Sequence, residues 1–378
     1  MVNETAVRVS PRDAADVAEI LRSHPRAVEP LGGGSKRSLG GPVQADVLDL
    51  SALAGVLDYE PDELVLTACA ATPLAAVDAL LAEHGQRLAF EPPNFGPLLA
   101  VAAAQTLGGV LAANLSGSRR LTAGAARDHF LGFKAVTGDG LPFKGGGRVV
   151  KNVTGYDLPK LLAGSWGTLA VLTEVSLRVV PAAETETTLI VPAASIEKAV
   201  AMSTAAVSSS YEVSAAAFDP VRGVALRIEG FEASVQARVR GLVDVLGRPE
   251  AERLDGRASQ RFWQALGSAA ALADQPFVWR ISVPPSEAAR IVAALEPERC
   301  LLDWAGGLVW AGFATLDADR VRGALREGHA SLWKAPAAER ADAPAFQTRS
   351  LAFAQAARRL KAAFDPNARL NPGRLSFG

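Results

Sequence analysis

Two short stretches of this chain combine residue types suited to holding an extended anion. The first is Gly32-Gly33-Gly34-Ser35-Lys36, which follows Pro30-Leu31. The second, about 130 residues later, runs from Gly164 through Gly167, Thr168, Leu169 and Val171 to Val175. Each sits beside a β-rich segment. Glycine has no Cβ, so its N–H can approach a phosphate closely and its backbone tolerates positive φ. Ser35 adds a hydroxyl and Lys36 a cation. Between the two lie further small-residue turns in a fixed order. These are Pro92 within Phe90-Glu91-Pro92-Pro93, then Thr106-Leu107-Gly108-Gly109 leading to Asn114, then Ser116-Gly117-Ser118-Arg119-Arg120, then Gly124-Ala125-Ala126-Arg127-Asp128. A lone Gly-Gly-Gly-Ser is also an ordinary flexible loop. The ordered set is what points to backbone amides laid along a phosphorylated cofactor.

The common nucleotide motifs do not fit. A dinucleotide fingerprint needs G-x-G-x-x-G opening a helix, with an acidic residue about 20 positions on. Here the glycine turn leads through Gly40-Gly41-Pro42 to a strand. A phosphate-binding loop of the Gly-Lys-Ser/Thr kind is absent.

The elements that must position these turns can be read from the periodicity. Ser10-Pro11-Arg12-Asp13 is expected to start a helix with Ser10 as N-cap and Val17, Ile20 and Leu21 inward. Strands are expected at 27–31, 47–50 and 64–68. A helix is expected from Thr72-Pro73-Leu74 to Leu81, stopped near Gly85. Phe130–Val136 and Leu141–Lys144 flank Gly138-Asp139-Gly140 and read as a hairpin. A long strand covers 168–180. Leu98–Leu115 is uncharged, but Gly108-Gly109 lies between polar residues and fits a buried turn better than a membrane span. Ala182–Thr187 reads as a linker. Beyond it the segments alternate, strand 189–191, helix 195–207, strands 215–218 and 224–228, helix 232–246, and the pattern recurs in a β-α-β-β-α-β rhythm: strand 277–283, helix 287–295, strands 301–304 and 308–313, helix 317–326, strand 331–334. That is an antiparallel, ferredoxin-like sheet with helices on one face. The final helix, 348–364, is expected to turn Leu351, Ala354, Leu360 and Ala363 inward.

With 378 residues there is room for two cores. The composition is 49% hydrophobic and 21% charged with a net charge of −1, which excludes disorder and shows no basic stripe for nucleic acid. Cys69 and Cys300 read as buried thiols, and the four histidines show no metal-ligand spacing. No secretory leader or transmembrane segment is read, so a soluble cytoplasmic protein is expected.

The ordered turns resemble the FAD-binding domain of the vanillyl-alcohol oxidase, or p-cresol methylhydroxylase (PCMH-type), superfamily. The closing segment, Phe364-Asp365-Pro366-Asn367 to Leu370-Asn371-Pro372-Gly373-Arg374, is similar to that superfamily's return segment. Within it the chain resembles the smaller, FAD-binding subunits of bacterial glycolate oxidase. Three blocks carry this: Asp58-Tyr59-Glu60-Pro61 with Glu63-Leu64-Val65; Ala89-Phe90-Glu91-Pro92-Pro93; and Ser116-Gly117-Ser118-Arg119-Arg120 with Val149-Val150-Lys151-Asn152-Val153-Thr154-Gly155-Tyr156-Asp157. Ser118 departs from the proline usual there.

The resemblance implies an α+β protein: a PCMH-type FAD-binding domain of two α/β subdomains at 1–181, an α+β cap domain at 188–345, and a C-terminal helix and tail at 346–378 returning to the first. It implies that Gly32–Lys36, preceded by Leu31, cradle the pyrophosphate of FAD. Thr106, Gly108 and Gly109 would line its other side, Asn114, Ser116 and Gly117 would approach the ribityl and flavin, and Gly167, Thr168, Leu169 and Val171 would lie along the adenine end. Pro92, Gly124 and Asp128 belong to the same set. Arg119 and Arg120 suit either a phosphate or a carboxylate across an interface. The first glycine turn holds no histidine, so the FAD is expected to be non-covalent.

The implied partners are the larger flavin subunit and the iron–sulfur subunit of glycolate oxidase, with a small 2-hydroxy acid as substrate. Association with the inner face of the cytoplasmic membrane would run through that complex. Larger flavin subunits carry a His-Ala-Gly-Asp-Gly-Asn-like turn. Its counterpart here reads Asp303-Trp304-Ala305-Gly306-Gly307, without histidine, and no other histidine–carboxylate group is apparent. Two roles therefore stay open, an electron relay or second flavin centre and a structural or assembly subunit. A stand-alone alditol or sugar oxidase is a third. No base is assigned. Arg280, Arg349 and Arg374 are substrate-arginine candidates by region alone.

Overall fold

A short parallel sheet opens the chain. In the computed structural model, which describes residues 6–148, 156–315, 317–340, 343–347 and 350–375, strand Asp46–Asp49 lies between Arg8–Val9 and Val28–Leu31. Helix Ala14–Ser23 covers this sheet, burying Val17, Ala18 and Leu21 against Val28, Leu48, Val136 and Val171. Its N-cap is Asp13, not Ser10. The Asp13 carboxylate accepts the N–H groups of Ala15 at 2.9 Å and Asp16 at 2.8 Å, so Pro11 lies outside the helix.

A five-stranded antiparallel sheet follows, in the order Val56–Glu60, Val65–Cys69, Ala170–Arg178, Phe130–Thr137, Pro142–Gly146. The expected hairpin closes through Gly138-Asp139-Gly140, with Gly140 at φ 80°. Helices Leu74–Glu83 and Leu107–Ala113 pack on the sheet, sharing a core with Leu66, Ala135, Val175 and Leu177. Gly108-Gly109 is thus the first turn of a short helix and not a buried turn. Gly108 is required by contact: a Cβ there would meet the Ala70 carbonyl oxygen at 2.8 Å.

The expected linker is also corrected. Strand Thr185–Val191 begins inside it, and Glu186, Thr187 and Thr188 are buried. This strand belongs to an eight-stranded sheet whose spatial order is Glu252–Asp255, Thr185–Val191, Gly223–Gly230, Val213–Asp219, Arg299–Asp303, Leu308–Phe313, Phe277–Ser282, His329–Lys334. The order resolves into two four-stranded β-α-β-β-α-β units. Each has its second strand at the inner edge, and those two strands join antiparallel at Phe218 and Leu302. The repeat expected from the sequence therefore builds one continuous sheet around a local two-fold relation.

Alternation along the strands sets its two faces. Leu189, Ala216, Phe218, Val224 and Leu226 face helices Ile196–Val207, Glu232–Leu246 and Ala288–Leu295. Ile190, Ala215, Ala217 and Ala225 face the other way, onto helix Arg257–Gly267 through Trp263 and Leu266. That helix was not expected, so helices cover both faces of the first unit. Cys69 and Cys300 are free and half-buried.

The C-terminal helix, Leu351–Phe364, is capped by the Ser350 hydroxyl. Only Ala354 is buried on it; Leu351 and Leu360 are exposed, contrary to expectation, as is Ala363. The chain then returns to the first sheet. Leu370 bridges Val28, and Val28 exchanges backbone hydrogen bonds with Arg369 and Asn371.

Candidate functional site

The glycine turns converge. Strand Val28–Leu31 delivers Leu31, Gly32, Gly33, Gly34, Ser35 and Lys36 to one wall of a narrow cavity of about 130 Å³. Thr106, Gly108 and Gly109 form the opposite wall, with Gly167, Val171, Asn371 and Arg374 also lining it. The walls touch at the backbone. A Cβ on Gly33 would sit 1.9 Å from the Ala104 carbonyl oxygen, and one on Gly32 would sit 2.6 Å from Thr106 Oγ1. Only glycine allows that approach.

The cavity is electrostatically incomplete. Lys36 hydrogen-bonds Ser35 Oγ at 3.0 Å, and among the described residues no carboxylate pairs with it. Burial lowers its ammonium to about 8. The Asn371 amide donates to the Trp166 carbonyl at 2.9 Å, while its Oδ1 is buried without a partner. Arg374, by contrast, is satisfied by Glu29 at 2.6 Å and by the carbonyls of Arg37 and Leu39. An anion with hydrogen-bond donors answers both deficits, and a nucleotide diphosphate is such a group.

Ala113 and Trp166 line this cavity and also a wider one of about 530 Å³. Asn114, Ser116, Gly117, Thr168 and Leu169 belong to the wider arm. Its far wall comes from the large sheet: Arg280, Asp303, Trp304, Trp310 and Trp333. Trp310 and Trp333 meet edge to face at 5.1 Å, and Phe95 meets Trp333 edge-on at 4.4 Å. Trp304 stands on the turn that lacks histidine. Trp304 and Ala305 both have φ 55°, and Gly306 has φ 100°. Such clustered left-handed residues are costly and need support. Here the Trp304 indole N–H donates to the Gly117 carbonyl at 3.0 Å, and Asp303 accepts the Ser118 hydroxyl at 2.6 Å. Burial raises the Asp303 carboxyl to about 6. Pro92, Gly124 and Asp128 line neither arm. Asp128 instead accepts the Ala125 N–H at 2.9 Å.

Behind Gly117 lies a buried ion network. Arg119 clasps Glu229 with bonds of 2.6 and 2.9 Å, and Arg87 reaches the same carboxylate at 2.7 Å. Arg227, fully buried over the Trp263 ring, holds Glu91 through two 2.9 Å bonds. Burial alone would raise the Glu229 carboxyl, but Arg119, Arg227 and Arg87 hold it well below the usual range. Arg119 thus serves a carboxylate, and that carboxylate belongs to its own chain. Nothing local in the sequence marks Arg227 or Glu229. The Val149–Gly155 block and Arg349 lie outside the described residues.

A glycine-walled anion cradle opening into an aromatic cavity, in this α+β frame, defines an FAD-binding protein. The FAD binding domain family matches residues 5–145. A solved structure of alkyldihydroxyacetonephosphate synthase, 16% identical, superposes with a TM-score of 0.68 over 97% of this chain and 76% of that one, a likeness of fold. The chain is 34% identical to glycolate oxidase subunit GlcE of Escherichia coli, over 91% of each, and it belongs to that family. It is also 34% identical to a D-lactate dehydrogenase of Archaeoglobus fulgidus and 32% to glycolate oxidase subunit GlcD of Bacillus subtilis. Those matches cover 49% and 48% of this chain, and 41% and 38% of the relatives.

Proposed function

We propose that this chain is the FAD-binding subunit of a glycolate-oxidising complex. The observation that carries the reading is the Lys36 ammonium, hydrogen-bonded to Ser35 but with no carboxylate paired to it among the described residues, in a wall that only glycine can build. Residues 1–181 with 346–378 hold the cofactor, and 188–345 cap it. Gly32–Lys36, Thr106, Gly108 and Gly109 hold the diphosphate. Asn114, Ser116 and Gly117 lie toward the ribityl and flavin, and Gly167 and Val171 toward the nucleotide end. Bound FAD supplies a two-electron acceptor that can pass electrons on singly.

The attachment is non-covalent. His24 is engaged with Asp46 at 2.7 Å and His129 with the Ala123 carbonyl, and neither lines the cleft. His329 does line the wide arm but lies far in sequence from the first glycine turn. The partners are a larger flavin subunit and an iron–sulfur subunit. No helix among the described residues is long and apolar enough to cross a membrane. In this reading any contact with the inner face of the cytoplasmic membrane runs through the complex.

The test is anaerobic turnover with glycolate, following this chain's flavin by absorbance in the isolated chain and in the reconstituted complex. Reduction during turnover is expected. A flavin that stays oxidised while glycolate is consumed would leave only a structural and assembly role.

A further inference from the structure

We propose that this chain carries its own site for a small 2-hydroxy carboxylate in the wide arm, built by Arg280 and Arg120 around Trp304 and completed by Ser282, Ser331 and His329. The inference rests on the reading of the cleft as an FAD site, and it places the substrate class on this chain as well as on its partner.

Arg280 comes from strand Phe277–Ser282. Its guanidinium carbon lies 5.0 Å from the Trp304 ring centroid, 5.7 Å from Trp333 and 5.9 Å from Trp310. Arg120 places a second guanidinium 4.6 Å from the same Trp304 centroid. Among the described residues no carboxylate lies within ion-pair distance of either. Asp303 is near, but its two oxygens already accept the Ser118 hydroxyl and the Trp304 N–H. Burial lowers the Arg280 guanidinium to about 10, and Arg120 lowers it further in the same sense. Two cations that share one indole without a directly paired carboxylate are an unfavourable arrangement in a cavity. An anion bound in the arm offsets their repulsion, and a carboxylate matches the planar donor fork of arginine.

The neighbouring side chains specify more than charge. Arg280 and Ser282 are two apart on one strand and so share a face. Directly across the antiparallel pair stand Ser331, opposite Arg280, and His329, opposite Ser282. Opposed Cβ atoms in such pairs are about 5 Å apart. All four residues line the wide arm. A guanidinium flanked by two hydroxyls and an imidazole fits a carboxylate whose α-carbon bears a hydroxyl. Trp304, Trp310, Trp333, Phe95 and Leu308 add an apolar wall beside this polar group.

Isothermal calorimetry on the purified full chain tests this, with oxalate and glycolate as probes and ethylene glycol as the neutral control. Oxalate has no α-hydrogen, so binding is read without turnover. Saturable binding of both acids and none of ethylene glycol is expected. Arg280→Met and Arg120→Met should each weaken oxalate tenfold or more, whereas Arg280→Lys should stay within a few-fold. Ser282→Ala with Ser331→Ala should weaken glycolate several-fold and acetate hardly at all. Each variant is first checked for its circular dichroism and flavin absorbance. If Arg280→Met does not fold, Arg120→Met and the serine pair carry the test. A yellow wild type that binds neither acid overturns the proposal, and so do folded arginine variants that bind oxalate as the wild type does. A colourless chain overturns the FAD reading instead, and calorimetry still reports on the anion.

Discussion

Replacing Arg227 by methionine should cost this protein more than any surface charge change. Arg227 has no exposed surface, clasps Glu91 through two bonds of 2.9 Å and lies 3.7 Å from Glu229. Methionine keeps the apolar contact with Trp263 but strands the Glu91 carboxylate. Its remaining ion pair is with Arg119 at 3.2 Å. Breaking a buried ion pair from one side costs about 3–5 kcal/mol, against about 0–1 kcal/mol for an exposed pair. In a chain of 378 residues that corresponds to a fall in Tm of about 4–6 °C. Differential scanning calorimetry measures it directly.

Two controls isolate the cause. Adding Glu91→Gln removes the stranded charge and should restore at least about 1 kcal/mol, a non-additive result. The pH dependence should also change. Arg227 and Arg119 hold the Glu91 carboxyl below its ordinary value of 4.5, and the same arginines hold Glu229 below its own. A carboxyl depressed in the folded state stabilises it above the unfolded value, and that stability is lost as pH falls toward the folded value. The wild type should therefore lose stability steeply below about pH 4.5, and Arg227→Met should show a shallower acid slope. A variant melting within about 2 °C of wild type, or a strictly additive double variant, would refute the reasoning.

Other consequences follow from the narrow cavity. Lys36→Met should weaken FAD binding about tenfold or more while leaving the melting of the cofactor-free chain unchanged or slightly raised, measured by fluorescence titration and calorimetry. Lys36 sits near 8 in the folded chain against 10.5 unfolded. Between these values the unfolded chain binds more protons, so the cofactor-free protein should gain stability as pH rises from 8 to 10.5. In the same window FAD binding should take up a proton, detectable by calorimetry in buffers of different ionisation enthalpy and absent in Lys36→Met. Gly33→Ala should abolish FAD binding in a spectroscopic titration, because its Cβ would lie 1.9 Å from the Ala104 oxygen.

The local half of this architecture was legible. Glycine turns, the Asp-Gly hairpin and the recurring strand–helix–strand–strand–helix rhythm are short-range patterns, and helix Glu232–Leu246 matches its expected bounds, whereas strand Glu252–Asp255, which completes the first unit, was not expected. Helix Arg257–Gly267 has a local signal in Phe262, Trp263 and Leu266 after Gly256, but a short one. The N-cap was misplaced because Ser10 and Asp13 are both good caps, and only the carboxylate reaches two N–H groups. The charge network was not legible. Arg119 and Glu229 are 110 residues apart and Arg227 and Glu91 are 136 apart, so their pairing depends on how the sheets meet. Glu186 looked like linker because its neighbours are small and polar, yet it is buried beside Ser259 at 2.5 Å. The guanidinium pair on Trp304 was invisible for the same reason. A Trp-rich turn reads as packing until the strand carrying Arg280 is laid against it.

The most direct test is the flavin content of the purified chain, read from its visible spectrum before and after acid precipitation. The account predicts a yellow protein carrying one FAD per chain, released intact into the acid supernatant. A chain that stays colourless after incubation with FAD would contradict it.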